Sequence, residues 1–149
     1  LVLFSFNGID ELSHKDRIRT LKEIFRVLTQ DGVLVFSSHN RDFEYFRRPY
    51  WLRHRRLNFQ LIKNVASHLF FLPRRLRLRK YEIFDAQYAI INDSDHRYSL
   101  LMYYTTIDAQ KKQLAEIGFG GTRAFNEAGK EVAKDRESFW IYYMARKGV

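Results

Sequence analysis

The sequence contains no cysteine. That excludes a disulfide framework and any thiolate metal site, and it fits a reducing compartment such as the cytoplasm. No apolar run approaches the ~18 residues of a membrane span, and no signal-peptide pattern is visible. The five histidines, at positions 14, 39, 54, 68 and 96, show no metal-ligand spacing. Asp93 and Asp95 fall among turn residues, where carboxylates serve local hydrogen bonds, so no metal is expected. Internal repeats and low-complexity tracts are also missing. Acidic residues are scarce in one segment: residues 41–80 hold 12 of the 26 Lys and Arg but only 2 of the 17 Asp and Glu, a net charge of +10 against −1 for the rest. Any argument about an anionic partner therefore concerns that segment.

What is present suffices for one domain over 1–149: 46% of the residues are hydrophobic and 16% aromatic, enough to fill a core. Leu1 to Phe6 and Val33 to Phe36 are continuous apolar runs, the pattern of central strands buried on both faces of a parallel sheet. Between them, Ser13 and Asp16 have capping-box spacing. Ile18, Leu21, Ile24, Phe25 and Leu28 form one apolar stripe, and Lys15, Arg19, Lys22, Glu23 and Arg26 take the solvent side. Gly32 is expected to stop this helix. The resulting β-α-β unit opens in mid-strand, so the chain reads as the back half of a larger α/β domain.

Residues 41–80 interleave cations (Arg47-Arg48, Arg53 to Arg56, Arg74 to Lys80) with Phe43, Tyr45, Phe46, Tyr50 and Trp51, punctuated by Pro49 and Pro73. A helix is predicted over Asn58 to Leu72, its Leu61, Ile62, Val65, Leu69 and Leu72 stripe packing on the domain. Tyr81 to Ile91 and Arg97 to Thr105 read as an extra antiparallel hairpin (residues 81–105) closed by the turn residues Asn92 to His96. Thr105 and Asp108 repeat the capping-box spacing, Ile107, Leu114 and Ile117 line one face, and Gly118 ends this helix. Phe119 to Phe125 and Phe139 to Ala145 read as closing strands.

Three passages carry a resemblance: LVLFSFNGIDELSH followed by DRIRTLKEIFRVLTQDGVLVFSSHN, then TTIDAQKKQLAEIGF, then SFWIYYMARKG. Their order resembles the C-terminal half of a class I S-adenosylmethionine-dependent methyltransferase. The first is similar to that family's fourth strand, following helix and fifth strand. There a "RxLxxGGxLxxS" passage is common; Arg26 to Ser37 has this form, with Asp31 where the first Gly often stands. The second resembles the helix and "GF" opening the sixth strand, and the third the seventh strand, antiparallel to its neighbours. The expected fold class is therefore α/β, a partial Rossmann-like sheet of strands four to seven, with a basic helical insertion and the hairpin.

The resemblance implies methyl transfer to an O, N or C nucleophile of a small or carrier-bound acceptor. It also implies that Ser5 and Phe6, at the carboxyl end of the first strand, pack the cofactor while Asn7 faces the acceptor. The family's glycine-rich loop, and the carboxylate that grips the ribose, have no counterpart in these residues, so S-adenosylmethionine is expected to need an upstream half. Insertions after the fifth strand often shape the acceptor site in that family, so 41–80 is read as a lid or acceptor-recognition element.

From the residues themselves, Ser37-Ser38-His39-Asn40 ends the neighbouring strand on the same sheet edge. His39 is a candidate base, since a neutral imidazole titrates near working pH, and Ser38 and Asn40 are candidate substrate contacts. The plainer alternatives are a turn at Asn7-Gly8, and Ser38 and Asn40 as helix caps beside a hydrogen-bonded His39. Tyr88, Tyr103 and Tyr104 are further candidates for a pocket wall, against a reading as ordinary hairpin core and surface. A function of another class stays open, a non-catalytic module using 41–80 to hold nucleic acid or anionic lipid. A bare first strand could also pair with a second copy.

Overall fold

A computed structural model describes residues 1–46, 59–93 and 96–148. Pro49, Tyr50, Trp51, the clusters Arg47-Arg48 and Arg53 to Arg56, and the turn positions Ser94 and Asp95 lie outside the described residues. The elements are strands β1 (Val2–Phe4), β2 (Val33–Asn40), β3 (Ile83–Phe84), β4 (Tyr88–Ile91), β5 (Met102–Thr105), β6 (Phe119–Phe125) and β7 (Trp140–Lys147), and helices α1 (His14–Val27), α2 (Phe59–Arg79) and α3 (Ile107–Ile117). A 3₁₀ turn, Gly8–Glu11, precedes α1. The architecture is α/β, with a mixed, open seven-stranded sheet.

β2 is the organising strand. β7 runs antiparallel along one edge of it, from Val33 to His39. The other edge is shared by two parallel strands, β1 beside Leu34 to Phe36 and β5 beside His39 and Asn40. β4 and β3 extend the sheet antiparallel beyond β5, and β6 closes the far side beyond β7. The expected antiparallel last strand is present. The hairpin, by contrast, is not an appendage. Its first arm splits at Asp85 to Gln87 into β3 and β4, its second begins only at Met102, and β5 joins it to the main sheet. Asp85 and Tyr88 close that split, Asp85 N–H bonding the Tyr88 carbonyl at 2.9 Å.

Both α1 and α3 cover one face of the sheet. Leu21, Ile24 and Leu28 of α1 and Ile107 and Leu114 of α3 meet Leu34 and Phe36 of β2 and Ile141, Tyr143 and Ala145 of β7 in one core. The Ser13 hydroxyl caps α1 by accepting the Asp16 N–H at 3.2 Å. The cap of α3 is Thr106 rather than Thr105; its hydroxyl accepts the Ala109 N–H at 3.1 Å, while Thr105 stays in β5. Gly118 ends α3 at φ 115°. After α1, the left-handed residue is Asp31 (φ 59°). Gly32 is needed for closeness instead, because a Cβ there would sit 2.6 Å from the Thr29 carbonyl oxygen.

Three sequence expectations fail, each for a physical reason. β1 is not buried on both faces: Leu1 and Leu3 are 84% and 66% exposed, because only the α1 side of the strand is covered among the described residues. α2 does not stop at Leu72 but runs through Pro73 to Arg79, although proline removes the N–H that the Leu69 carbonyl would have accepted. Its apolar stripe packs on the domain only in part, with Leu61 and Leu72 half-buried. Ile62 and Leu69 are 66% and 60% exposed, and the helix meets the body on another side, where His68 bonds the Tyr98 hydroxyl at 2.8 Å and Arg75 lies over the Tyr98 ring. Among the described residues, no helix is long and apolar enough to cross a membrane.

Candidate active site

Because β1 and β5 occupy opposite ends of one edge of β2, a gap is left beside Ser37 and Ser38. The 3₁₀ turn fills it, and Asp10 does there what a strand would otherwise do. Its Oδ2 accepts the backbone N–H of His39 at 2.7 Å. The same oxygen accepts from His39 Nδ1, also at 2.7 Å. Oδ1 accepts the Ser38 hydroxyl at 2.7 Å and Arg17 Nη1 at 2.5 Å. Four donors converge on one fully buried carboxylate.

Arg17 supplies the matching charge from α1, and its side chain is as buried as that of Asp10. Nη1 also donates to the Ile9 carbonyl, and Nη2 donates to Ser38 Oγ at 3.1 Å and Gln110 Oε1 at 2.7 Å. The guanidinium lies 4.4 Å from the centre of the Tyr103 ring. Such a pair is tolerable in a low-dielectric interior only because its hydrogen bonds are nearly all met; Arg17 Nε is the exception.

The carboxylate sets the tautomer of His39. With Nδ1–H donated to Asp10, Nε2 is the nitrogen left to take a proton. Residues alternate across a strand, so the ring lies on the face opposite Ser38 and the helices. Tyr104, its neighbour on β5, is 4.8 Å away between ring centres, Phe139 is 5.0 Å away, and His96 is 6.4 Å away. Behind His96 stands a second carboxylate: Asp93 bonds His96 Nδ1 at 3.1 Å and accepts the Tyr104 hydroxyl at 2.7 Å. Burial pushes the Asp93 carboxyl up, but the bonds from His96 and Tyr104 outweigh it and hold the group below its ordinary value.

The sequence-predicted residues fall into three groups. Asn7, Ser38 and His39 come together around Asp10: the Asn7 N–H donates to Ser37 Oγ at 3.1 Å, and the buried Asn7 Oδ1 has no hydrogen-bond partner among the described residues. Asn40 is tied into the loop before β7, its amide donating to the carbonyls of Asp135 and Ser138 and accepting the Asp42 N–H. Tyr88 and Tyr103 lie on the helix side of the sheet, stacked on each other at 5.0 Å, with His14 stacked on Tyr88 and bonded to the Tyr103 hydroxyl at 3.0 Å. They therefore do not share a wall with the His39 ring. Ser5 is exposed and the Phe6 ring is 96% exposed, at left-handed φ 54° beside Asn7 at φ 53°.

Arg17 and the pairing of Asp10 with His39 are what sequence reasoning missed; Tyr104 stands among the pocket-wall candidates, and Asp93 makes the local hydrogen bond expected of it, with His96. Of the two missed, only Arg17 left a signal, since it occupies a position of the α1 stripe four residues before Leu21. Past Asn40, an open cleft of about 650 Å³ lies at the carboxyl end of β2 and the start of α3, lined by Arg41, Phe43, Phe46, Thr106, Asp108 and Asp135 among others. Arg41 braces its rim, donating to the carbonyls of Asp85, Ala86 and Tyr88.

Comparison with known proteins gives likenesses in structure. A methyltransferase of Thermotoga maritima, S-adenosylmethionine-dependent and described as a possible histamine N-methyltransferase, superimposes with a TM-score of 0.50 at 13% identity, covering 97% of this chain and 54% of that one. Over that stretch the two chains share their fold. Two further S-adenosylmethionine-dependent methyltransferases also match: one of Methanosarcina mazei (TM-score 0.46, 15% identity, 99% of this chain and 58% of that one) and one of Clostridium acetobutylicum (0.48, 8%, 99% and 57%). This chain thus spans little more than half the length of the solved structures it matches. No family model and no curated protein matches the sequence.

Proposed function

We propose that the chain is the acceptor side of an S-adenosylmethionine-dependent methyltransferase acting on an O, N or C nucleophile of a small or carrier-bound acceptor. The observation that carries this reading is the Asp10-held His39 at the carboxyl edge of β1 and β2, the edge of an open α/β sheet where ligands gather. In this reading His39 Nε2 takes the proton that an acceptor hydroxyl or amine gives up, and Asp10 fixes the ring while that happens. Transfer of a methyl group is an in-line displacement, so the chain's main tasks are to orient the acceptor and exclude water. Tyr104 and Phe139 serve the second task as walls. The segment 41–80 serves as the lid or acceptor-recognition element, with Asn7, Ser38 and Asn40 supporting acceptor binding directly or through the network, and Tyr88 and Tyr103 backing Arg17 from the helix side.

The residues present fit one side of the cofactor. Ser5 and the exposed Phe6 ring would pack against it, and the unpartnered Asn7 Oδ1 offers a hydrogen-bond acceptor beside them. When bound, S-adenosylmethionine supplies an electrophilic methyl group. The glycine cradle and the ribose-holding carboxylate would come from an upstream half, whose strand and covering layer suit the bare outer edge of β1 and the exposed Leu1 and Leu3.

Calorimetric titration of S-adenosylmethionine and S-adenosylhomocysteine, into this chain and into a version extended upstream in the genomic frame, tests the reading. Binding by the extended version alone is the expected result. No binding by either version would overturn it.

A further inference from the structure

We infer that α2 is an interfacial helix that lays this protein on an anionic lipid bilayer, an inference independent of the methyl-transfer reading. The helix is 21 residues long, about 31 Å at 1.5 Å per residue. On a helical projection of 100° per residue, Ile62, Val65, Leu69 and Leu76 fall within about 60° of one another, and Phe70 lies about 80° beyond Ile62, among the cations of one flank. All five are exposed, Phe70 at 77%. Cations border this stripe: Lys63, Arg74 and Arg77 on one flank, Arg79 on the other, and Lys80 immediately after the helix. From residue 59 to residue 80 there is no Asp or Glu.

The rest of the helix is already engaged. His68 and Arg75 meet Tyr98, and Arg74 and Arg97 lie over the Phe71 ring. That anchoring turns the apolar stripe away from the body, with its basic border at the rim. An apolar strip flanked by cations suits a surface that offers acyl chains at one depth and negative headgroups just above it. Three other occupants suit it less well. A second copy of α2 would bring like charges together. A polynucleotide would satisfy the cations, but four of the five exposed apolar side chains are aliphatic and give bases nothing to stack on. A bilayer span is excluded because the helix, though long enough, is too charged and not apolar enough.

The test is flotation of the 149-residue chain with vesicles of phosphatidylcholine alone and with 30% phosphatidylglycerol. The expected result is recovery with the anionic vesicles only, weakening as salt rises. Arg77→Gln with Arg79→Gln should lower the partition coefficient about 30-fold, taking the usual gain per cation near a charged surface. Leu69→Ser with Phe70→Ser should lower it at least as far. All four side chains are exposed, so circular dichroism should match the parent. Because the chain has no cysteine, Leu69→Cys carries an environment-sensitive dye at one site, and its emission should shift blue on anionic vesicles. Failure to float with anionic vesicles, or a dye that stays in water, overturns the inference. So does binding that survives loss of Leu69 and Phe70 but is competed away by single-stranded RNA, which would reassign the surface to nucleic acid.

Discussion

Asp10 holds His39 at two points, backbone and ring, both through Oδ2 and both at 2.7 Å. One carboxylate thus closes the gap in the sheet edge and orients the imidazole, so the strand end and the candidate base share a single support. Asp10→Ala removes that support and leaves Arg17 buried without its counter-charge. The expected cost is about 3–5 kcal/mol, read from urea denaturation. Loss of under 1 kcal/mol would mean that the network is not what holds the strand end.

Arg17 and Asp10 should also fail the test of additivity. Arg17→Met keeps much of the side chain's volume against Tyr103 but strands the Asp10 charge, so alone it should cost as much as Asp10→Ala. Combined with Asp10→Asn, it removes both charges, and the double variant should be more stable than the sum of the single losses by about 1–3 kcal/mol. A double-mutant cycle measured by denaturation reads this directly, and additive losses would sink the claim of direct coupling.

Acid should weaken the fold in two separate steps. Burial, reinforced by the nearby Arg17 guanidinium and opposed by Asp85, lowers the His14 pKa from its usual 6.5. The unfolded chain then binds this proton more readily than the folded one, so stability falls as pH drops below 6.5 and levels off below the folded value. Asp93 acts lower down. Its folded pKa lies beneath the usual 3.8, so its contribution is intact above 3.8 and is lost as pH falls through the folded value. His14→Phe, which preserves a ring against Tyr88, should shrink only the upper step, to which His68, lowered by burial, also contributes; Asp93→Asn should shrink only the lower step, which it shares with Asp135. Thermal midpoints measured across pH 2–8 would show it; an unchanged profile in both variants refutes the assignment.

The parts legible in the sequence were those fixed by local rules. The apolar run of β2, the Ser13 cap, the stripe of Leu21, Ile24 and Leu28, and the span of β6 follow from period and turn chemistry. What failed depends on neighbours distant in sequence. Nothing local says that β5 will lie beside His39 or that β1 will have a bare face, and Pro73 within α2 breaks a local rule outright. The site divided in the same way. His39 stood out as a titratable residue at a strand end, whereas Asp10, 29 positions away in sequence, could be paired with it only once the gap between β1 and β5 was visible. Tyr103 and Tyr104 show how narrow the margin is: one step along β5 carries a ring from the Arg17 side to the His39 side.

Gly118 should resist even the smallest substitution. At φ 115° the backbone is outside what an L side chain readily adopts, and a Cβ there would lie 2.9 Å from Phe25 Cζ. That ring is itself held edge-on against Phe119 at 5.0 Å, so it has little room to yield. Gly118→Ala is expected to cost about 2 kcal/mol, measured by denaturation. Gly129, at φ 74° with open space around its Cβ position, should lose less on the same change. Equal losses at the two sites would show that backbone strain alone, without the Phe25 contact, sets the cost.

Tyr143 offers the opposite case, a position where removing an atom should help. Its ring stacks on Phe36 at 5.2 Å in the middle of the core, and its hydroxyl is buried with no hydrogen-bond partner among the described residues. Burial pushes the phenol pKa far up, the same desolvation that penalises the neutral hydroxyl in the folded state. Tyr143→Phe keeps the ring and the stack and returns the cost of the unsatisfied group, so the variant should be more stable by about 1 kcal/mol. Differential scanning calorimetry would register a higher midpoint. A lower one would mean that the hydroxyl has a partner in solution, with bound water the first to look for.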